Sequence, residues 1–157
     1  MKRIEYKYVD KSEWGDGPWQ AEPDKIQWLD EETKLPCIIK RSPSFGGWCG
    51  YVGVSKDHPC FGRNHDELPH GVDVHGGLTF SGQCQHDGED HERICHLVEE
   101  GESDIVWWLG FDCGHWQDHS PTYAEFRVNN NTAQYRDQAY VTAEVESLAR
   151  QLKGMQT

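Results

Sequence analysis

The sequence predicts an α+β fold: a mixed, mainly antiparallel sheet with a C-terminal amphipathic helix packed on one face. Three observations predict it. The short runs 48–54 and 105–111 are apolar on both faces, the pattern of central strands. From Arg136 to Lys153 the chain lacks Gly and Pro, and Val141, Val145, Leu148 and Leu152 recur on one helical face. The length of 157 residues suits one domain, which can bury a core without metal or disulfide support.

Each element follows in order. Residues 1–36 read as an irregular lead-in, punctuated by Gly15, Gly17, Pro18, Pro23 and Pro36 and pinned by Trp14, Trp19 and Trp28. Residues 37–134 hold the sheet and its long His-rich loops. Within them, 37–40 is a short strand and 42–47 a turn. Gly50 and Gly53 inside the strand 48–54 suggest a bulge or the close approach of another backbone. A polar loop, 55–73, leads to strand-like composition at 74–80. A second polar loop, 81–92, precedes a short strand at 94–97. The strand 105–111 ends at Asp112, and 116–134 is loop with an Asn run at 129–131. Residues 135–153 form the helix, with Gly154 as its cap.

Charge narrows the function. Asp and Glu number 27 against 15 Lys and Arg, a formal net charge of −12, which argues against binding bare phosphate backbones. The charged opening, Met1-Lys2-Arg3-Ile4-Glu5, has no apolar export core, and no run suits a membrane span. The expectation is a cytoplasmic protein with no membrane partner. Its six cysteines, with no Cys-x-x-Cys among them, are expected to be reduced.

Several segments are distinctive together. They are Gly17-Pro18-Trp19, Glu22-Pro23-Asp24-Lys25, Leu35-Pro36-Cys37, Trp48-Cys49-Gly50-Tyr51-Val52-Gly53-Val54 with His58-Pro59, and His75-Gly76-Gly77-Leu78-Thr79-Phe80. Trp107-Trp108-Leu109-Gly110-Phe111-Asp112-Cys113-Gly114-His115, Tyr135-Arg136-Asp137 and Tyr140-Val141 complete the set. Over about 17–152 the chain resembles a family of small proteins encoded in bacteriophage and prophage genomes. The resemblance implies a phage origin and an accessory role in the infected cell. It brings no catalytic residues with it.

All nine histidines lie between 58 and 119, a concentration of the commonest metal ligand. Those that end buried strands are held most rigidly. His75 precedes Gly76 and Gly77, which leave room for a ligand, and Thr79 shares its side of a regular strand. Asp112 and His115 close the apolar strand, with Asp118 nearby. Asp112 is placed to orient a histidine as general base or to hold a divalent cation such as zinc. His75, Asp112 and His115 are therefore the candidate catalytic or metal-binding set. Thr79, Gly76, Gly77, Asp118, His58 and Arg63 are candidate ligand contacts. The bland alternatives are solvated loop histidines, a capping Asp112 and a His75 bonded to a carbonyl. Cys113 beside His115 is a candidate thiol, Cys37 and Cys49 read as core, and Cys60, Cys84 and Cys95 are candidate zinc ligands with nearby histidines.

No complete catalytic constellation is legible, so the reading favours binding. The expected role is a phage accessory protein in the host cytoplasm that sequesters a small polar, nucleotide-like ligand or masks a host protein. The alternative is a metal-assisted or general acid–base hydrolase acting on a small polar substrate.

Overall fold

The runs read as central strands lie side by side inside one sheet. The structure is a computed structural model that describes residues 1–122 and 132–156; the Asn129–Asn131 run falls outside them. Among the described residues the strands are β1 (Ile4–Tyr6), β2 (Lys25–Leu29), β3 (Pro36–Arg41), β4 (Trp48–Ser55), β5 (Phe80–Gln83) and β6 (Val106–Asp112), followed by helix α1 (Gln138–Gly154). Their order across the sheet is β1-β2-β3-β4-β6-β5, and every pairing is antiparallel.

Alternation along β4 and β6 explains the two buried faces. Trp48, Val52, Val54, Leu109 and Phe111 face α1, which contributes Val141, Val145, Leu148 and Leu152. Those four helix residues are fully buried, as the sequence periodicity predicts. On the opposite face Ile38, Tyr51, Val106 and Trp108 pack against Cys84 and Cys95. Gly50 serves close packing rather than a bulge, since a Cβ there would lie 2.5 Å from Val145 Cγ2.

Several local expectations change. The lead-in contains β1, β2 and a 3-10 turn at Pro18–Gln20, although Trp19 and Trp28 are buried as expected. In β2 the alternation Lys25-Ile26-Gln27-Trp28 carries a period-two signal masked by polar residues. Those polar side chains are buried yet satisfied: Lys25 Nζ donates to the carbonyls of Asp90, Arg93 and Cys95, and Gln27 Nε2 to those of Lys2 and Leu97. Residues 74–79 are not strand, because Gly76 and Gly77 take φ of 68° and 78° and turn the chain. Residues 94–97 are not strand either; the N–H groups of Ile94 and Leu97 donate to the side chains of Gln85 and Gln27. Gly154 lies in the last helical turn, and Met155 caps it. One disulfide, Cys84–Cys95, replaces two expected thiols, with Cα atoms 4.7 Å apart at the neck of a loop.

A buried charge cluster ties the sheet to the helix. Asp24 and Arg41 are almost wholly inaccessible. Asp24 accepts from the N–H groups of Tyr8 and Val9, from Lys11 Nζ at 2.6 Å and from Arg41 Nε at 2.8 Å. Arg41 also donates to Gly46 O, Pro23 O and Tyr135 Oη. Glu22 accepts from Tyr135 Oη and from Gln138 N in the first turn of α1. Burial pushes the Asp24 carboxyl up, but its hydrogen bonds from Lys11, Val9, Tyr8 and Arg41 outweigh burial and hold it below the usual range.

Two sets of variants test this assembly by urea denaturation. Val145→Asp or Leu148→Asp should cost several kcal/mol by placing a charge in the core, whereas Glu144→Ala should cost under about 0.5 kcal/mol. Arg41→Met should cost roughly 3–5 kcal/mol by stranding buried carboxylates. Asp24 contributes stability that is fully present above about pH 3.9, its unfolded value, and is lost as pH falls through its lower folded value. The acid limb of the stability curve should therefore flatten in Asp24→Asn.

Candidate functional site

Antiparallel pairing of β5 and β6 brings the chain before β5 alongside the end of β6. Phe80 sits opposite Gly110, and Thr79 N donates to Gly110 O at 2.9 Å. The turn carrying His75 therefore meets Asp112 and His115 at one rim of the sheet. The N-terminus of α1 closes the same rim, capped by the Asp137 side chain, which accepts from Tyr140 N.

His75 bridges two partners. Its Nε2 lies 2.8 Å from Asp118 Oδ2, and its Nδ1 lies 2.8 Å from Tyr140 Oη. A carboxylate only accepts, so Nε2 carries the proton and Nδ1 accepts from the Tyr140 hydroxyl. Asp118 is itself buried. Its Oδ2 also accepts from His115 N at 3.0 Å, and its Oδ1 from Arg136 Nε at 2.9 Å. Burial raises the Asp118 carboxyl, but the bonds from His75, Arg136 and His115 N together hold it below the usual range. Arg136 lies over the Tyr140 ring at 5.0 Å, and burial raises the Tyr140 phenol, which keeps its proton.

Asp112 anchors the outer half of the rim. Its Oδ2 accepts from Thr79 Oγ1 at 2.9 Å and its Oδ1 from Gly114 N at 2.9 Å. His115 Nε2 stands 3.5 Å from Asp112 Oδ1 without a hydrogen bond. The His75 and His115 rings are 5.8 Å apart. His75, Asp112, His115, Thr79 and Asp118 thus share one neighbourhood, with His115 standing between His75 and Asp112. In this arrangement both nitrogens of His75 are already engaged.

Other candidates take different places. The space beside Gly76 is filled by His115, whose Nε2 would lie 2.1 Å from an added Cβ; beside Gly77 the space is open. His58 is buried, with Nδ1 accepting from Cys60 N and Nε2 donating to Leu152 O at 2.7 Å. It is a staple on the carbonyl end of α1, roughly 18 Å along the helix from Tyr140. The Arg63 side chain turns back onto Pro59 O at 2.9 Å. Cys113 is buried, and burial pushes its thiol up, which opposes thiolate chemistry.

Sequence reading misses Tyr140 and Arg136. Their signal was position: one sits in the first turn of the helix and the other just before its Asp137 cap. Trp116, the next residue in the chain after His115, is 75% exposed. Among the described residues, the ligating atoms that gather in a group of three within 4.8 Å are those of Cys84, Cys95 and His96, away from this rim. No family model, curated protein or solved structure matches the chain.

The paired glycines give a controlled test of the rim. Gly76→Ala meets both a positive φ and the His115 ring, so it should cost roughly 2–4 kcal/mol. Gly77→Ala meets only the positive φ and should cost about 1 kcal/mol. Denaturation midpoints, with the His115 imidazole proton shifts followed by NMR, check both. Equal effects would show that the His115 contact is unimportant.

Proposed function

We propose that this is a binding protein, which takes a small polar, nucleotide-like ligand at the rim formed by Thr79, Asp112, His115 and Trp116. One observation carries the reading. The inner network of His75, Asp118, Arg136 and Tyr140 satisfies its own hydrogen bonds, while the His115 imidazole and Asp112 carboxylate beside it are partly exposed and Trp116, next in the chain after His115, is largely exposed. A saturated inner network suits a rigid platform. The outer residues suit recognition: a planar base stacks on Trp116, and its N–H edge donates to Asp112. Base–aromatic stacking contributes about 1–3 kcal/mol. The net charge of −12 disfavours long nucleic acids. In keeping with the phage resemblance, the role is that of an accessory protein in the host cytoplasm, acting in counter-defence or host takeover. A host protein seated on the same rim is the other partner this reading admits.

A hydrolase is the second reading, favoured by the Asp118–His75–Tyr140 chain. There a carboxylate orients an imidazole whose second nitrogen accepts from a hydroxyl, the arrangement of a general acid–base relay. A divalent ion at His75, Asp112 and His115 would require His75 to leave Asp118 or Tyr140.

Titration of a nucleoside and nucleotide panel, read by tryptophan fluorescence and calorimetry, decides between these readings. Trp116→Ala should weaken binding roughly 5- to 150-fold with little change in melting temperature, the stacking range above. His75→Ala should instead lower the melting temperature, because it removes one of the hydrogen bonds to buried Asp118 and the partner of the Tyr140 hydroxyl. Saturable binding indifferent to both Trp116→Ala and Asp112→Asn would remove the ligand from this rim. Turnover of a panel member, abolished in Tyr140→Phe at unchanged stability, would establish the hydrolase.

A further inference from the structure

The disulfide loop 84–95 covers the sheet face opposite α1, and it adjoins an anomaly. His96 is 6% exposed, yet its Nδ1 is buried without a hydrogen-bond partner. A ring nitrogen of His96 and the sulfurs of Cys84 and Cys95 all lie within 4.8 Å of one another. We propose that the reduced chain binds a thiophilic divalent ion, with zinc the natural occupant, through Cys84, Cys95 and His96, and that the disulfide is the closed, metal-free form of this site.

The surroundings support reuse of the same three residues. Tetrahedral zinc holds sulfur and nitrogen ligands at about 2.3 and 2.1 Å, which sets ligand atoms roughly 3.6 Å apart. Small side-chain rotations reach that spacing from the observed one. The loop neck is held independently of the disulfide: Gln85 N donates to Ile94 O, and Ile94 N to Gln85 Oε1. Lys25 Nζ, donating to the carbonyls of Asp90, Arg93 and Cys95, fixes the returning arm of the loop. Reduction therefore leaves both sulfurs side by side. Trp108 Nε1 already donates to Cys84 Sγ at 3.2 Å, the outer-shell bond that stabilises a thiolate ligand.

The conversion balances. A dithiol reductant supplies two electrons and two protons and is itself oxidised to a disulfide, leaving two thiols at Cys84 and Cys95. The entering ion displaces both thiol protons to solvent. Three protein ligands leave a fourth coordination position. His96 also lines a cavity of about 430 Å³, bounded in part by Leu35, Gly53, Ser103 and Val106, from which water or an exogenous ligand can reach the ring's side of the site.

Cobalt(II) is the probe for the test. The full chain is reduced with a trialkylphosphine, which becomes the phosphine oxide by taking oxygen from water, and is titrated anaerobically. The reduced chain should take up one cobalt per molecule, with a thiolate-to-cobalt charge-transfer band that stoichiometric zinc abolishes. The oxidised chain should give no band. Cys84→Ser and Cys95→Ser should lose the band, His96→Ala should bind at least tenfold more weakly, and Cys60→Ser and Cys113→Ser should behave as the parent. His96→Ala keeps the disulfide, so its folding can be verified before reduction. Zinc should also protect Cys84 and Cys95, but not Cys49, from alkylation as mapped by mass spectrometry. A reduced chain that shows no charge-transfer band with cobalt present, or an unchanged band in Cys84→Ser, overturns the proposal.

Discussion

The pair of Asp24 with Arg41 is the constraint on which the remaining geometry rests. Breaking even against desolvation is the usual fate of a buried ion pair, so its chief product is position rather than net stability. Arg41 has its donors directed at several separate chain segments. Nε meets Asp24, while the terminal nitrogens meet the carbonyls of Gly46 and Pro23 and the hydroxyl of Tyr135. Its guanidinium lies 4.3 Å from the Trp48 ring, which removes the flat face from water. Asp24 in turn gathers Tyr8, Val9 and Lys11. A lysine at position 41 could not reproduce the planar fork, so the substitution would loosen several segments together.

From this cluster the order passes to the helix. Glu22 accepts from Tyr135 Oη and from Gln138 N, placing a carboxylate at the positive end of α1. That anchors the first helical turn, and with it Tyr140. Tyr140 then positions His75, His75 and Arg136 engage Asp118, and Asp118 holds the backbone of His115. The rim is thus the far end of a hydrogen-bonded chain that starts in the sheet. Such a chain holds the rim's charged and titratable groups through hydrogen bonds from the protein itself.

What the sequence disclosed was governed by periodicity. Apolar runs at β4 and β6, and the spacing of Val141, Val145, Leu148 and Leu152, are averages over many contacts and survive any local detail. Antiparallel adjacency then placed His75 near Asp112 and His115. Less legible were features set by single tertiary bonds. Lys25 and Gln27 hide a strand because burial of each is compensated by carbonyls from distant loops. Asp24 and Arg41 stand in ordinary sequence surroundings, and no local pattern marks a guanidinium that will be fully buried. The turn at Gly76 is a similar case, since its necessity comes from the His115 ring against it.

The histidines make the same point more sharply. Their concentration between 58 and 119 suggests one site, but the fold disperses them. His58 caps the carbonyl end of the helix, His119 stacks at 5.5 Å on Trp19, and His86 lies 3.7 Å from Asp104 on the surface. Sequence proximity therefore measured little. The informative property is the balance between burial and hydrogen bonding at each ring. His58 and His75 have both nitrogens engaged, and each is accounted for by the structure it braces. His96 is buried to a similar degree with Nδ1 unanswered, and two cysteines lie within reach of its ring. An unanswered polar atom in a core costs about 1–3 kcal/mol, so a partner supplied under other conditions has a free-energy gain waiting for it.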